Sequence, residues 1–382
     1  MVRIVVTGIG VVSPNGVGKT EFSDALKQGT SGIRPLGLFH HETPLVPFSA
    51  PVELSEQEGQ DRTVAFALRA SREALEESGL LHDSVAPEAF GSVFCSSKGN
   101  PESFNQPGRF VSHFPTSSAS TALLRQFPQI QGPSLNLVAA CATGAFALIR
   151  AAQLIREGRC QVVLAGAADA SLTPLLVAAY RQMGVLSQET MRPFDRRRSG
   201  FVVGEGAAAF VLEERESALR RGAKSYGEIA GEATAQDSFH PVRFHPEGHS
   251  LAYAIRQALR KASLLPEDLD YLNAHGTATR QGDSYETAEI KEALGEVAYR
   301  IPVSATKSMT GHLLGASGAV EFAACLLAME DRFIPPTINL EEPDETCDLD
   351  YVPREARSAR LKTVLSVSLG FGGHVGVVIV RR

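Results

Sequence analysis

The five cysteines of this chain, at 95, 141, 160, 325 and 347, lie far apart and form no CxxC pair. That spacing excludes a zinc ribbon and offers no disulfide framework, so a reduced, cytoplasmic protein without a metal site is expected. No hydrophobic run is long enough for a bilayer, since the longest, around Cys141, is interrupted by Arg150. No block of basic residues stands out and the net charge is -6, which argues against nucleic acid as a partner. The chain opens as MVRIVVTGIG, a strand pattern from its start, so no signal peptide is expected. There is no Pro/Ser-rich linker, low-complexity segment or short-period repeat, and the two halves should therefore share one compact body. Tryptophan is also absent, and nothing follows from that.

What is present reads as an α/β protein. With 382 residues, 43% of them apolar and 21% charged, the chain has the composition of a globular protein and the length of two domains or one large fused unit. Strand-like runs fall at Val2–Thr7, Gly91–Cys95, Gln161–Ala165, Ala207–Leu212, Leu269–Ala274, Val303–Ser304, Thr363–Val367 and Val375–Val380. Helical spacing covers Thr20–Gln28, Asp61–Ser78, Ala142–Glu157, Gly248–Ala262, Tyr285–Leu294 and Ala316–Met329. Continuous apolar strands between amphipathic helices predict a buried, mostly parallel sheet covered by helices. A composition break near Ala235–His240 divides the chain into 1–235 and 236–382. The stretch SPNGVGKT (13–20) resembles a phosphate loop, but Ser13 stands where that loop needs glycine. A turn leading into a helix near Thr20 is the better reading.

In NLVAACATGAFALIRAAQLI (136–155), Cys141 sits where an apolar strand, Leu135–Ala140, gives way to a helix. A single cysteine in such a stretch is commonly a core residue. Three other stretches argue for more. NAHGTATRQGD (273–283) sets His275 at a strand end beside glycine. SATKSMTGHLLGASGAVE (304–321) carries Lys307, His312 and Glu321 among small residues, and SLGFGGHVG (368–376) is a glycine-rich turn entering the last strand. A lone histidine is usually structural, but two at apolar strand ends beside glycines form, with the cysteine, a Cys-His-His set. A helix N-terminus favours thiolate over thiol, so a lowered Cys141 pKa is expected. The glycine turn can present a backbone N–H to the same point, and two such donors would stabilise an oxyanion by about 3 kcal/mol each.

These residues carry a resemblance to the β-ketoacyl-acyl-carrier-protein synthases of the elongating I/II type, in the thiolase superfamily. It runs nearly end to end. It includes VVTGIGVVSPNG (5–16), ACATGA (140–145), RPFDRRRSGFVVGEGA (192–207), NAHGTATRQGD, TKSMTGHLLGASGAVE, PPTINLEEPDETCDLDYVP (335–353) and GFGG (370–373), in family order. The resemblance implies a thiolase-like fold of two fused similar halves in α-β-α-β-α layers. The first half (1–235) would carry the nucleophile and the second (236–382) the two histidines. It implies decarboxylative condensation of an acyl thioester with malonyl-acyl-carrier protein. Cys141 would hold the acyl chain, and His275 and His312 would donate to the malonyl thioester carbonyl. Lys307 would orient His312, with Glu321 anchoring the lysine. The N–H groups of Cys141 and Phe371 would form the oxyanion hole, Phe371 also acting as a gate. Asp237 and His240 would belong to a second gating loop, and Thr277 and Thr279 would bind the phosphopantetheine arm. No bound cofactor is implied, because substrates arrive on the phosphopantetheine of acyl carrier protein. The implied partners are that carrier protein and either a second copy or a related ketosynthase-like subunit. Arg196, Arg197 and Arg198 are candidates for a carrier-docking patch.

The sequence departs from the family where Val367, Ser368 and Leu369 precede GFGG, and where His374 follows it. Segment 96–124 is short and carries Ser117, Ser118, Ala119 and Ser120. In the family this region lines the acyl tunnel and dimer interface, so a widened pocket is expected. These departures make a type II polyketide or polyene pathway enzyme as consistent as fatty-acid elongation. A non-catalytic chain-length subunit would lack the nucleophile. A thiolase would need a second cysteine near the last glycine turn, and an initiating synthase would have asparagine in place of His312. A cysteine hydrolase would need a base touching Cys141 and a route for water.

Overall fold

The computed structural model describes residues 2–35, 46–54, 61–81, 85–99, 101 and 118–382. Its backbone is organised by an 11-stranded sheet. From one edge to the other the strands are Val303–Ser304, Tyr271–Asn273, Thr363–Gly370, His374–Arg381, Gly227–Gln236, Ile4–Ser13, Gly206–Glu214, Val162–Asp169, Phe90–Cys95 and Ser134–Leu135, with Gly16–Val17 paired beside Ile4–Ser13. The two halves meet where Val5 pairs antiparallel with Glu228.

Each half has the same topology. Counting the strands of a half in chain order, with the two-residue Gly16–Val17 left aside, both read 1-5-4-2-3 from the middle outwards. In both, strand 5 is antiparallel to 1 and 4, while 4, 2 and 3 are mutually parallel. The expectation of a mostly parallel sheet is therefore corrected to a mixed one. Thr363–Gly370 and His374–Arg381 show why: a connection this short permits only antiparallel pairing. The second round opens with Gly227–Gln236, a strand that the division drawn at 235/236 cuts just before its last residue. Its sequence, GEIAGEATAQ, is poor in β-branched and aromatic residues, which is why it does not read as a strand.

Helices Thr143–Arg156 and Ser317–Asp331 pack against each other and touch strands of both halves, forming the middle layer. Helices Arg62–Ser78 and Ser250–Ala262 cover the outer faces of the first and second halves. The helix Ser317–Asp331 is buried all round through Met329, as a helix enclosed between two sheet faces must be. Gly144 allows the central approach, because a Cβ there would lie 2.4 Å from the Ala319 nitrogen. The central residues pair off as Thr143-Gly144-Ala145 and Ser317-Gly318-Ala319, one trio from each half.

The phosphate-loop lookalike is a hairpin entering helix Lys19–Gln28. Glu73 accepts from the Lys19 N–H at 2.8 Å, and the Lys19 ammonium contacts Glu77 and Tyr226. Residues 100 and 102–117, including Ser117, belong to the segment expected to widen the acyl pocket and lie outside the described residues. Ser118–Gln126 is a helix with Ala119 and Ser120 buried.

Candidate active site

The expected site residues follow the C-terminal ends of strands, where α/β sheets commonly place their chemistry. His275 follows Tyr271–Asn273, Lys307 follows Val303–Ser304, and Phe371 follows Thr363–Gly370. Cys141 lies in a 3-10 turn, Ala140–Ala142, directly before helix Thr143–Arg156. The strand expected over Leu135–Ala140 is confined to Ser134–Leu135. Ala140 has φ +48°, a strained value for a residue with a side chain. Thr143 Oγ1 holds the turn by donating to the Ala140 carbonyl at 2.7 Å and accepting from the Ala139 N–H at 3.0 Å.

The Cys141 thiol is buried, with the Phe371 backbone amide placed to favour its charged form. The lowered pKa expected from the helix end is not what the surroundings produce. Burial pushes the thiol up, opposed by the Lys98 and Lys307 ammonium groups and by the Phe371 N–H.

The two histidine rings are edge to face, 5.5 Å apart at 85°. The Lys307 ammonium lies 3.2 Å from His275 Nδ1 and donates to the His275 carbonyl at 2.6 Å. It forms a buried ion pair with Glu321. Lys307 thus orients His275, not His312 as the sequence led us to expect. His312 Nδ1 lies 2.8 Å from Ser317 Oγ, and the Phe201 ring packs edge-on at 4.9 Å. His312 is further clamped through its backbone, donating to Val202 O at 2.8 Å and accepting from the Gly204 N–H at 2.9 Å. Burial holds both imidazoles well below the ordinary histidine value, and the Lys307 charge pushes the same way. Both rings are neutral at pH 7. Burial also pushes the Glu321 carboxyl up to about 7, against the pull of Lys307.

A cavity of about 1090 Å³ runs from Cys141, His275 and His312 past Thr277, Thr279 and Phe371. The two threonine hydroxyls are 3.1 Å apart. His240 lines the cavity while Asp237 stands behind it, its N–H donating to Gly373 O at 2.9 Å. Gly372 N–H donates to Pro241 O at 2.7 Å, so the loop 237–241 and the glycine turn are tied together. The arginine run is not an open basic patch. Arg196 pairs with Glu342, Arg197 with Asp195 and Glu341, and Arg198 is buried against Asp283 and Asp344.

The family models for the β-ketoacyl synthase N-terminal and C-terminal domains match residues 37–218 and 226–341. The chain belongs to the β-ketoacyl synthase family. It is 40% identical to the tetracenomycin polyketide synthase ketoacyl synthase alpha subunit of Streptomyces glaucescens, covering 100% of this chain and 97% of that one. It is 37% identical to the 3-oxoacyl-[acyl-carrier-protein] synthase 2 of Coxiella burnetii, covering 100% and 98%. Among solved structures it superposes on the ishigamide ketosynthase/chain length factor with TM-score 0.92 and 31% identity, covering 100% and 99%.

The β-ketoacyl synthase site also contains side chains that sequence reasoning missed. Ser317 holds His312. Buried Glu286 accepts from the N–H groups of His275 and Gly276 at 2.6 and 2.8 Å, fixing the turn that carries the first histidine. Asp169 accepts from Ser96 Oγ at 2.8 Å, the Ser97 N–H at 3.0 Å and the Gly315 N–H at 2.8 Å. A carboxyl at a strand end opposite a serine pair offered a faint signal, but their partners were far apart in sequence. Among the described residues no metal-holding cluster of His, Cys, Asp and Glu is found, and no helix is long and apolar enough to cross a membrane.

Proposed function

We propose that this chain catalyses decarboxylative condensation of an acyl thioester with malonyl-acyl-carrier protein, giving 3-oxoacyl-carrier protein through acyl-Cys141. One observation carries the reading: a buried thiol and two neutral imidazoles line one cavity, and the Nδ1 atoms of both rings are occupied, which leaves Nε2 as the ring nitrogen available to a substrate. The Lys307 ammonium has no acceptor, so His275 Nδ1 must accept from it and Nε2 carries the hydrogen. With the Ser317 hydroxyl donating, His312 takes the same tautomer.

In the first half-reaction the Cys141 sulfur attacks the acyl thioester carbonyl. The N–H groups of Cys141 and Phe371 receive the oxyanion, and the pantetheine thiol departs with the proton. In the second, the malonyl thioester oxygen sits between the two Nε2–H donors while carbon dioxide leaves. The resulting enolate carbon attacks the acyl-Cys141 carbonyl, the C–S bond breaks and the thiolate is regenerated. Neutral donors suit an enolate that is anionic only in passing, because they stabilise it without delivering a proton. No bound cofactor enters this scheme, since loss of carbon dioxide itself generates the carbon nucleophile. Thr277 and Thr279 would receive the pantetheine arm, and Phe371, His240 and Asp237 would govern its entry.

The acyl carrier protein is the partner in this reading, and the site would be reached from the cytoplasm. The curated relatives include both a polyketide alpha subunit and a fatty-acid-type synthase. The name of the ishigamide structure couples a ketosynthase with a chain length factor, and we extend that pairing to this chain as an alternative to a homodimer. A purely chain-length-setting role is the weaker reading, because Cys141 and both histidines are in place. Intact-protein mass spectrometry tests the proposal. Acyl-carrier proteins should leave an adduct on the wild type and none on Cys141→Ala, and malonyl-carrier protein should clear it with a product extended by two carbons. Absence of any adduct, with a related partner subunit supplied, would refute it.

A further inference from the structure

Of the three arginines at 196–198, Arg198 is only 2% exposed and cannot meet a carrier protein at the surface. Its guanidinium has five N–H donors, and five acceptors surround it. Nη1 donates to Asp344 Oδ2 at 2.7 Å and to the Asp195 carbonyl at 3.1 Å. Nη2 donates to the Arg280 carbonyl at 2.9 Å and to Ser284 Oγ at 2.8 Å, and Nε donates to the Thr279 carbonyl at 3.4 Å. A buried charge is tolerated when its hydrogen bonds are complete. Here three of the five go to the stretch that opens helix Arg280–Leu294.

That stretch is cavity wall. Thr277, Thr279, Arg280 and Ser284 line the cavity that holds Cys141, whereas Arg198, with every N–H engaged, has none to offer a substrate. Ala278, between the two threonines, has φ +60°, a left-handed backbone that a residue with a side chain seldom adopts. Such strain persists only where the surroundings impose it. The Gly200 N–H donates to the Ala278 carbonyl at 2.8 Å, so the carbonyls of 278, 279 and 280 are all gripped from segment 198–200. The Asp283 N–H and the Ser284 hydroxyl reach the last two from within the helix, at 3.1 and 3.0 Å. At the far end of the clamp Asp344 is itself fixed, its N–H donating to the Phe194 carbonyl at 3.0 Å and its carboxylate accepting from Thr346 Oγ1 at 2.7 Å. The outcome at the wall is a pair of threonine hydroxyls 3.1 Å apart.

We propose that Arg198 is a positioning residue for thioesters that carry a pantetheine arm. It acts through the backbone of 278–280, keeping Thr277 and Thr279 where their hydroxyls meet the amide groups of the arm. The inference rests on the proposed function, in which these threonines receive the arm, and adds the residue that holds them.

The test compares two butanoyl donors, butanoyl-pantetheine and S-ethyl thiobutanoate, which has no arm. The initial rate of Cys141 acylation is read by intact-protein mass spectrometry without malonyl donor, and the pantetheine-to-ethyl ratio is taken for each protein. The ratio removes any general effect on the thiol. It should fall about fivefold to tenfold in Arg198→Met, the loss of a hydrogen bond or two to the arm, with the ethyl rate near wild type. Arg198→Lys keeps the buried charge beside Asp344 but has three donors and no planar fork, and should lower the ratio about threefold; it carries the test where Arg198→Met does not fold. Thr277→Val/Thr279→Val should lower the ratio as well, and adding Arg198→Lys to that pair should lower it no further. An unchanged ratio in the folded Arg198 variants, equal losses with both donors, or a further fall on the valine background would each overturn the inference and leave the condensing reading intact. Failure of both donors to acylate wild-type Cys141, with a partner subunit supplied, overturns both.

Discussion

Replacing Lys307 with methionine separates its two tasks. The ammonium contacts His275 Nδ1 and pairs with Glu321, and all three side chains are buried. Without it, His275 loses the partner that fixes its tautomer, and part of its neutral population places the hydrogen on Nδ1 instead of Nε2. A charge-assisted hydrogen bond contributes about 1.5–3 kcal/mol, so decarboxylation should slow about tenfold to a hundredfold. Acylation of Cys141 should fall less, because Lys98 and the Phe371 N–H still act on the thiol. Stability should fall too. Stranding a buried charge costs about 3–5 kcal/mol, moderated here because a carboxyl already raised to about 7 can take up a proton. The double variant Lys307→Met/Glu321→Leu removes the stranded group and should recover most of the melting temperature without recovering decarboxylation. The assay follows carbon dioxide release from malonyl-carrier protein beside acyl-adduct formation, with thermal melts on each protein. Recovery of decarboxylation in the double variant, or an equal fall in both half-reactions, would refute the positioning role of Lys307.

Three further outcomes follow from the same geometry. Ser317→Ala should slow decarboxylation by about tenfold with acylation nearly unchanged, since only the His312 tautomer is released; parallel losses in the two assays would count against it. Gly276→Ala should lower the melting temperature and decarboxylation together. The backbone there has φ +42° and an added Cβ would lie 2.4 Å from Ala305 Cβ, a strain of about 1–3 kcal/mol; a melt unchanged from wild type would contradict the packing. The buried imidazoles also set an acid limit. Their folded values lie well below 6.5, so the unfolded chain binds more protons, and their contribution, present above 6.5, is lost as pH falls further. The melting temperature should drop below pH 6.5, and less steeply in His275→Asn/His312→Asn; identical slopes would place the acid sensitivity elsewhere.

Much of this was legible because the informative residues come in local strings. Strand ends, glycines and a helix start lie within a few positions of Cys141, His275 and His312, and local order survives folding. The helix Arg62–Ser78 is of this kind, with its apolar periodicity and Asp61 capping the Thr63 N–H at 2.8 Å. Partnerships across the chain were harder to see. Lys307 stands nearer in sequence to His312 than to His275, yet it reaches the latter because parallel strands Tyr271–Asn273 and Val303–Ser304 put their ends side by side. Burial was also misjudged at Cys141. The helix end is local and visible in sequence, whereas the desolvation that raises the thiol comes from the surrounding chain. Helix Pro174–Gln182 was missed for a different reason: its face is mostly exposed and its apolar residues lack a clear stripe.

The repeated topology explains how one nucleophile acquired its surroundings. The turn Ala140–Ala142 and the turn Leu314–Ala316 occupy matching places, each opening a central helix, and their first residues share a left-handed backbone with φ +48° and +52°. Gly315 therefore stands in the second half where Cys141 stands in the first. Each turn is met by the end of strand 4 from the opposite half. Asp169, ending Val162–Asp169, accepts from the Gly315 N–H, while the backbone amide of Phe371, just after Thr363–Gly370, acts on the Cys141 thiol. One crossing thus presents a carboxylate to a backbone donor and the other a backbone donor to a sulfur. The carboxylate side holds Ser97 and, through it, the Lys98 loop. The donor side supplies half of the proposed oxyanion hole. A duplicated scaffold whose halves exchange strand ends in this way keeps both turns rigid, and divergence at a few positions suffices to make one structural and the other reactive.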